Sequence, residues 1–257
     1  TGASPKSLLR DAIHHNATGG AMLGNMLIPH FTPKTIPKER KTWITTYDLS
    51  KDSPNISYDK SAWTVKDGGL VNTVPGKPLR LTFTGNKVDV VTLPIKGKGG
   101  KAKILLDGKD PTKNPNAFAA TRTNAAPGAW WPVVKRFKIG DNAVAESWTI
   151  NFRDIPKDGS SFAFDVVGSV TGPDGGGKFG DSFVSKSGRI SFTAENPFKG
   201  VKKYLKKDLP PTFKGRFRVY SMCKNGLQMP KNPQPGDIAK TTLIQLWDAG
   251  KHTVEII

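Results

Sequence analysis

Leu79-Arg80-Leu81-Thr82-Phe83-Thr84-Gly85-Asn86-Lys87-Val88-Asp89-Val90 decides the fold class. Across 79–83 apolar and polar side chains alternate with period two, the pattern of a strand with one buried and one wet face. A second run, 87–93, is rich in β-branched residues, and Gly85-Asn86 between the two reads as turn punctuation.

The same signature recurs outward from this stretch. Short β-branched and aromatic runs occupy 43–47, 62–65, 102–106, 147–152, 161–167, 189–192, 213–220, 241–247 and 252–257, with Gly, Pro and Asn between them. Only 201–207 interrupts, with the pattern of a helical turn. About a dozen strands without alternating helices predict a mainly β fold over residues 42–257, an antiparallel β-sandwich of jelly-roll-like type. Composition agrees: hydrophobic residues make up only 36%, while Gly 27 and Pro 20 favour short strands joined by turns. No stretch approaches the ~18 apolar residues of a membrane span. Thr1-Gly2-Ala3-Ser4-Pro5-Lys6 holds no apolar signal-peptide core, so an export signal would lie upstream or have been removed.

The N-terminal part reads differently. Met22, Leu23, Met26 and Leu27 recur at helical spacing, Asn16 or Thr18 can cap the element, and Pro29 is expected to end it. So broad an apolar stripe on a short helix calls for a partner surface. Residues 29–41, with Pro29, Pro33 and Pro37 among Lys and Thr, read as an extended linker.

Charge is the strongest bulk signal. The net charge is +18, carried mostly by lysine and spread along the chain, over 34–41, 96–103, 199–207 and 214–218. Such a field attracts polyanions, whether acidic polysaccharide, nucleic acid or an anionic surface, and it equally serves solubility or balance against an acidic remainder. No nucleic-acid motif or basic-aromatic stripe is present, which sets nucleic acid aside. Cys223 is the only cysteine, excluding an internal disulfide and a cysteine-based zinc site. The histidines show no ligand spacing, and no cofactor-binding pattern appears.

Ser7-Leu8-Leu9-Arg10-Asp11-Ala12-Ile13-His14-His15-Asn16 sets an Asp three residues before a His, then a polar turn and the short helix. This block resembles the last catalytic block of the SGNH/GDSL hydrolases. The resemblance implies that Asp11 orients His14 and that His14 serves as general base to a Ser, on an α/β core that the rest of this chain does not contain. Residues 1–28 are then the C-terminal remnant of such a domain, 29–41 a linker and 42–257 the sandwich. The β region resembles the jelly-roll modules found beside carbohydrate esterases, on 78–90, on Ile104-Leu105-Leu106-Asp107-Gly108-Lys109 and on the closing Gly250-Lys251-His252-Thr253 strand.

Three further constellations carry residues suited to chemistry or binding. Gly180-Asp181-Ser182-Phe183 spells most of a GDSL nucleophile block, yet Ser182 leads into an alternating run with no helix after it and reads as a loop or strand-edge serine. Asp174, Gly175 to Gly177 and Asp181 have the donors of a calcium loop, although the spacing fits a plain flexible turn better. Trp130-Trp131 is the candidate ligand platform. Adjacent residues of an extended segment point to opposite faces, so one indole can pack inward while the other stacks on a sugar; the alternative is that both pack. Trp43, Trp63, Trp148 and Trp247 lie in or beside strand patterns and read as core.

The expectation is the C-terminal region of a secreted or periplasmic SGNH-type carbohydrate esterase, carrying a polysaccharide-binding sandwich and not catalytic without the missing N-terminal esterase domain or a partner chain. The alternative is a non-catalytic surface, matrix or self-assembling protein that binds acidic polysaccharide.

Overall fold

The computed structural model describes residues 5–8, 14–31, 44–66, 68–92, 100–228 and 239–257. The protein is mainly β, 46% strand against 14% helix, and its ladders are antiparallel, as expected of the sandwich class. The chain divides into two compact units, Thr1–Tyr47 and Asp48–Ile257.

The first unit holds α1 (Pro5–Leu8) and α2 (Ala17–Phe31). Asn16 caps α2 by accepting from Gly19 N at 2.8 Å, and its own side-chain amide donates to Ser7 O. The helix does not stop at Pro29. A proline in the last turn removes one hydrogen bond without unwinding the turn it sits in, so α2 continues to Phe31. Leu23, Met26, Leu27 and Ile28 are exposed along it. Trp43 and most of the expected linker lie outside the described residues, and 44–48 is irregular rather than a strand.

The second unit runs β1 (Ile56–Ser57), β2 (Trp63–Lys66), β3 (Gly69–Asn72), β4 (Leu79–Thr92), β5 (Lys101–Leu106), β6 (Phe118–Ala120), β7 (Lys138–Ile139), β8 (Glu146–Arg153), β9 (Ala163–Gly168), β10 (Gly172–Lys178), β11 (Ser182–Val184), β12 (Ile190–Thr193), α3 (Pro197–Gly200), β13 (Phe213–Ser221), β14 (Gly226–Gln228) and β15 (Ala239–Ile256). One sheet has the order β1-β4-β15-β5-β14 and a second the order β10-β9-β8-β13-β6, with a small β11-β12-β7 sheet and a β2-β3 hairpin beside them.

Each five-stranded sheet has its own core. Val88, Ile104, Leu106, Leu243, Ile244, Leu246 and Val254 bury the first. The second is aromatic: Trp148, Phe152, Phe162, Phe164, Phe183, Phe192, Phe198 and Phe217 pack with Ile150, Ile190 and Val219. The second core lies within 118–219, inserted in sequence between β5 and β14 of the first sheet.

Two glycine segments depart from the turns their sequence suggests. Gly85-Asn86 is not a turn, because β4 runs unbroken through it; the irregularity sits in the partner β15, whose register shifts between Gln245 and Gly250. Gly172 to Gly177 is not a loop but the edge strand β10, with a bulge between Pro173 and Gly176. The bulge in β15 also moves Trp247 out of the core that its strand pattern implied, leaving it 64% exposed, whereas Trp148 is buried as expected.

The first core is closed at one end by a polar clasp. Asp107, in the left-handed region at φ 52°, accepts from Thr253 N and pairs with His252 Nδ1, each at 2.8 Å. Burial opposes the charge on Asp107, but the hydrogen bonds from His252 and Thr253 outweigh it and hold the carboxyl below its usual value. A carboxyl depressed in the folded state stabilises above the unfolded carboxylate pKa, near 4, and loses that contribution as pH falls through the folded value. The thermal midpoint of Asp107→Asn should therefore lie below wild type at pH 7, with the gap narrowing towards pH 3. A constant gap would deny the linkage.

Candidate functional site

Pro127-Gly128 builds the site locally. Proline fixes one turn angle and Gly128, at φ 64°, supplies the other, so Ala129 N bonds Ala126 O at 3.0 Å and the chain reverses. Ala125 and Pro132 bridge across the reversal, and Ala126 N takes Trp131 O at 3.0 Å. The two indoles then separate. Trp131 packs on the second core, its Cζ2 only 3.4 Å from where a side chain on Gly200 would begin. Trp130 stays 60% exposed, braced edge-on against Trp131 with ring centres 4.9 Å apart.

Cations gather around this hairpin from distant parts of the chain. Lys207 Nζ donates to Gly128 O at 2.8 Å, its stem lying over Gly128, and Arg122 Nη2 donates to the carbonyl of Trp130. The segment after β12 supplies the rest. Asn196 caps α3 by accepting from Phe198 N and Lys199 N, and α3 passes into a single π-helical turn, Val201–Leu205, where the sequence suggested one helical turn. That turn presents Tyr204, 70% exposed beside Gly200, with Lys203 Nζ 5.2 Å from its ring centre. Among the described residues Arg122, Lys203, Lys206 and Lys207 have no acidic partner, while Lys202 is paired with Asp208. The adjacency of the tryptophans was legible in sequence. The cations and Tyr204 were not assigned to them, because only folding brings residues near 122 and 204 to residue 130; the lysine run at 199–207 was the available signal.

The other candidate residues are used differently. Asp174 is buried and spends its carboxylate on Ser187 N and Oγ, at 2.8 and 2.7 Å; Asp181 accepts from Lys178 N at 2.8 Å. Both pin turns, and no group of three or more His, Cys, Asp or Glu suited to a metal occurs among the described residues. Asp11 lies outside the described residues and His14 is exposed. Ser182 opens β11, exposed, and strand rather than helix follows it. Cys223 is buried, its thiol pushed up by desolvation. A shallow groove of about 410 Å³ beside β2 is lined by Tyr58, Trp63, Asp52 and Lys60, but its charged members pair with each other at 3.6 Å. No helix among the described residues is long and apolar enough to cross a membrane. No family model, curated protein or solved structure matches the chain.

Proposed function

We propose that this chain is a non-catalytic binding module for acidic polysaccharide, working outside the cell. The observation that carries the reading is the exposed Trp130, set edge-on against Trp131, among cations that have no acidic partner among the described residues. An indole face stacks on the apolar face of a sugar ring, and unpaired lysine and arginine supply the attraction for uronate or sulfate. Neither a metal nor a cofactor is needed for this. The resemblance of 1–28 to the end of an SGNH esterase, supported by the helix that follows His14, adds the proposal that the module serves a carbohydrate esterase.

The test is a titration of polygalacturonate and of neutral dextran at low and high salt. Polygalacturonate should bind more tightly at low salt and weaken as salt rises, because exposed charges are screened beyond ~8 Å at physiological ionic strength. Trp130→Ala should lose about 0.5–1.5 kcal/mol, two- to tenfold, at either salt concentration. Equal or absent binding of the two glycans at low salt defeats the polyanion preference. Undiminished affinity in Trp130→Ala removes the platform.

A further inference from the structure

β13 carries a second feature, beside the segment that leads into the tryptophan hairpin. Its side chains alternate strictly, with Gly215, Phe217 and Val219 buried and Lys214, Arg216, Arg218 and Tyr220 exposed. The cations therefore stand in a line on the outer face of the second sheet, about 6.8 Å apart along the strand. None of them has an acidic partner among the described residues. The nearest acid in the ladder register, Asp165, is two strands away, beyond Asn151, and is held by Arg153 at 3.0 Å.

The flanks of the row are polar. On one side β8 places Ser147 opposite Arg218, Thr149 opposite Arg216 and Asn151 opposite Lys214. On the other, Thr121 Oγ1 accepts from Arg218 N at 2.9 Å, and Asn124 accepts from Arg216 N while donating to Lys214 O. The backbone of β13 is thus satisfied on both edges, so a ligand meets side chains and not an open strand edge. The row ends at Tyr220, and Trp247 reaches the same end by donating from Nε1 to Phe118 O, next to Ala119, the ladder partner of Tyr220.

We infer that this face binds a linear acidic polysaccharide lying along β13, with its carboxylates or sulfates on Lys214, Arg216 and Arg218 and its hydroxyls over Ser147, Thr149 and Asn151. The ligand class rests on the polysaccharide reading above, and the row uses side chains other than those of the neighbouring Trp130 hairpin, to which Asn124 joins it. An arginine fork pairs a carboxylate or sulfate through two parallel hydrogen bonds, which a scattered lysine field does not. A single-stranded nucleic acid fits less well. Its bases need aromatic faces along the groove, and between Lys214 and Arg218 the outer positions of β13 and β8 carry none.

The experiment compares Arg216→Gln/Arg218→Gln with a charge-matched control, Lys101→Gln/Lys103→Gln, on exposed positions of β5 in the other sheet. Wild type and both variants are titrated with polygalacturonate, dextran and oligo-dT over a range of salt, and thermal midpoints confirm folding. The row variant should bind polygalacturonate about tenfold more weakly at low salt, with a shallower salt dependence, while the control changes by less than about twofold. Equal losses in the two variants would assign the attraction to net charge and overturn the row, leaving the Trp130 platform to stand on its own variant. Oligo-dT binding more tightly than polygalacturonate, with the larger loss in the row variant, would replace the occupant by nucleic acid. Failure of wild type to bind any acidic glycan would instead remove the polysaccharide reading itself.

Discussion

Replacing Glu146 by alanine is expected to destabilise the protein by about 3–5 kcal/mol, because it strands one member of a buried ion pair. The Glu146 side chain is fully shielded from solvent and lies 3.7 Å from Arg189 Nη1. Its carboxylate also accepts from Val170 N and Thr171 N, each at 3.0 Å, and from Thr171 Oγ1 at 2.7 Å, gathering the β9–β10 turn. Arg189 has little to fall back on: its Nε is already buried without a partner among the described residues, while Nη1 is bound to Thr171 Oγ1. The loss of the carboxylate leaves a guanidinium and two turn amides under-satisfied together. For a protein of this size the thermal midpoint should fall about 2–4 °C per kcal/mol. Removing both charges, Glu146→Gln with Arg189→Met, should recover part of the loss. Urea unfolding in which Glu146→Ala costs less than about 1 kcal/mol would show that the pair is not structural.

Phe164→Ala should cost a similar ~3–5 kcal/mol by a different route, the opening of a cavity in the aromatic core. Phe164 is fully buried, with ring centres of Phe183 and Phe192 at 5.4 Å and of Phe152 and Phe162 at 6.3 Å. It joins β8, β9, β11 and β12, so no single neighbour can move into the space without leaving another contact. Phe179→Ala is the comparison. Among the described residues Phe179 makes ring contact with the cluster through Phe162, at 5.8 Å, and is 45% exposed, so its truncation should cost below about 1 kcal/mol. Equal losses at the two positions would mean that the ring network transmits no particular stability through Phe164.

Alternation made the fold class legible. β8 and β13 place a buried residue at every second position, and the alternation of residue types that marks this needs no tertiary information to see. Glycine misled. Gly85 and Gly172 to Gly177 carry the local marks of turns, yet whether a glycine ends a strand depends on the partner opposite, and there the irregularity is taken up by bulges. Trp247 was misplaced for the same reason. Of the candidate site, the division of labour between Trp130 and Trp131 follows from their adjacency alone. The cations around them come from residues near 122 and 203 to 207, and no local pattern states that long-range meeting. The Lys214 to Arg218 charges were visible as a cluster, and the period of the strand turns that cluster into a line.

The insertion of the second sheet into the first bears on how the molecule is made. β4 pairs along most of its length with β15, and contacts such as Thr82 with Thr253 span 171 residues. During synthesis β4 therefore emerges long before its partner and carries unpaired amides and carbonyls until 239–256 follow. The inserted sheet shortens the loop to be closed. Once it folds, Met222 N meets Ala117 O at 2.7 Å, and the residues between them drop out of the loop that β4 and β15 must close. Loop-closure entropy therefore favours an order in which the aromatic core folds before the outer ladder, whose remaining gap it narrows.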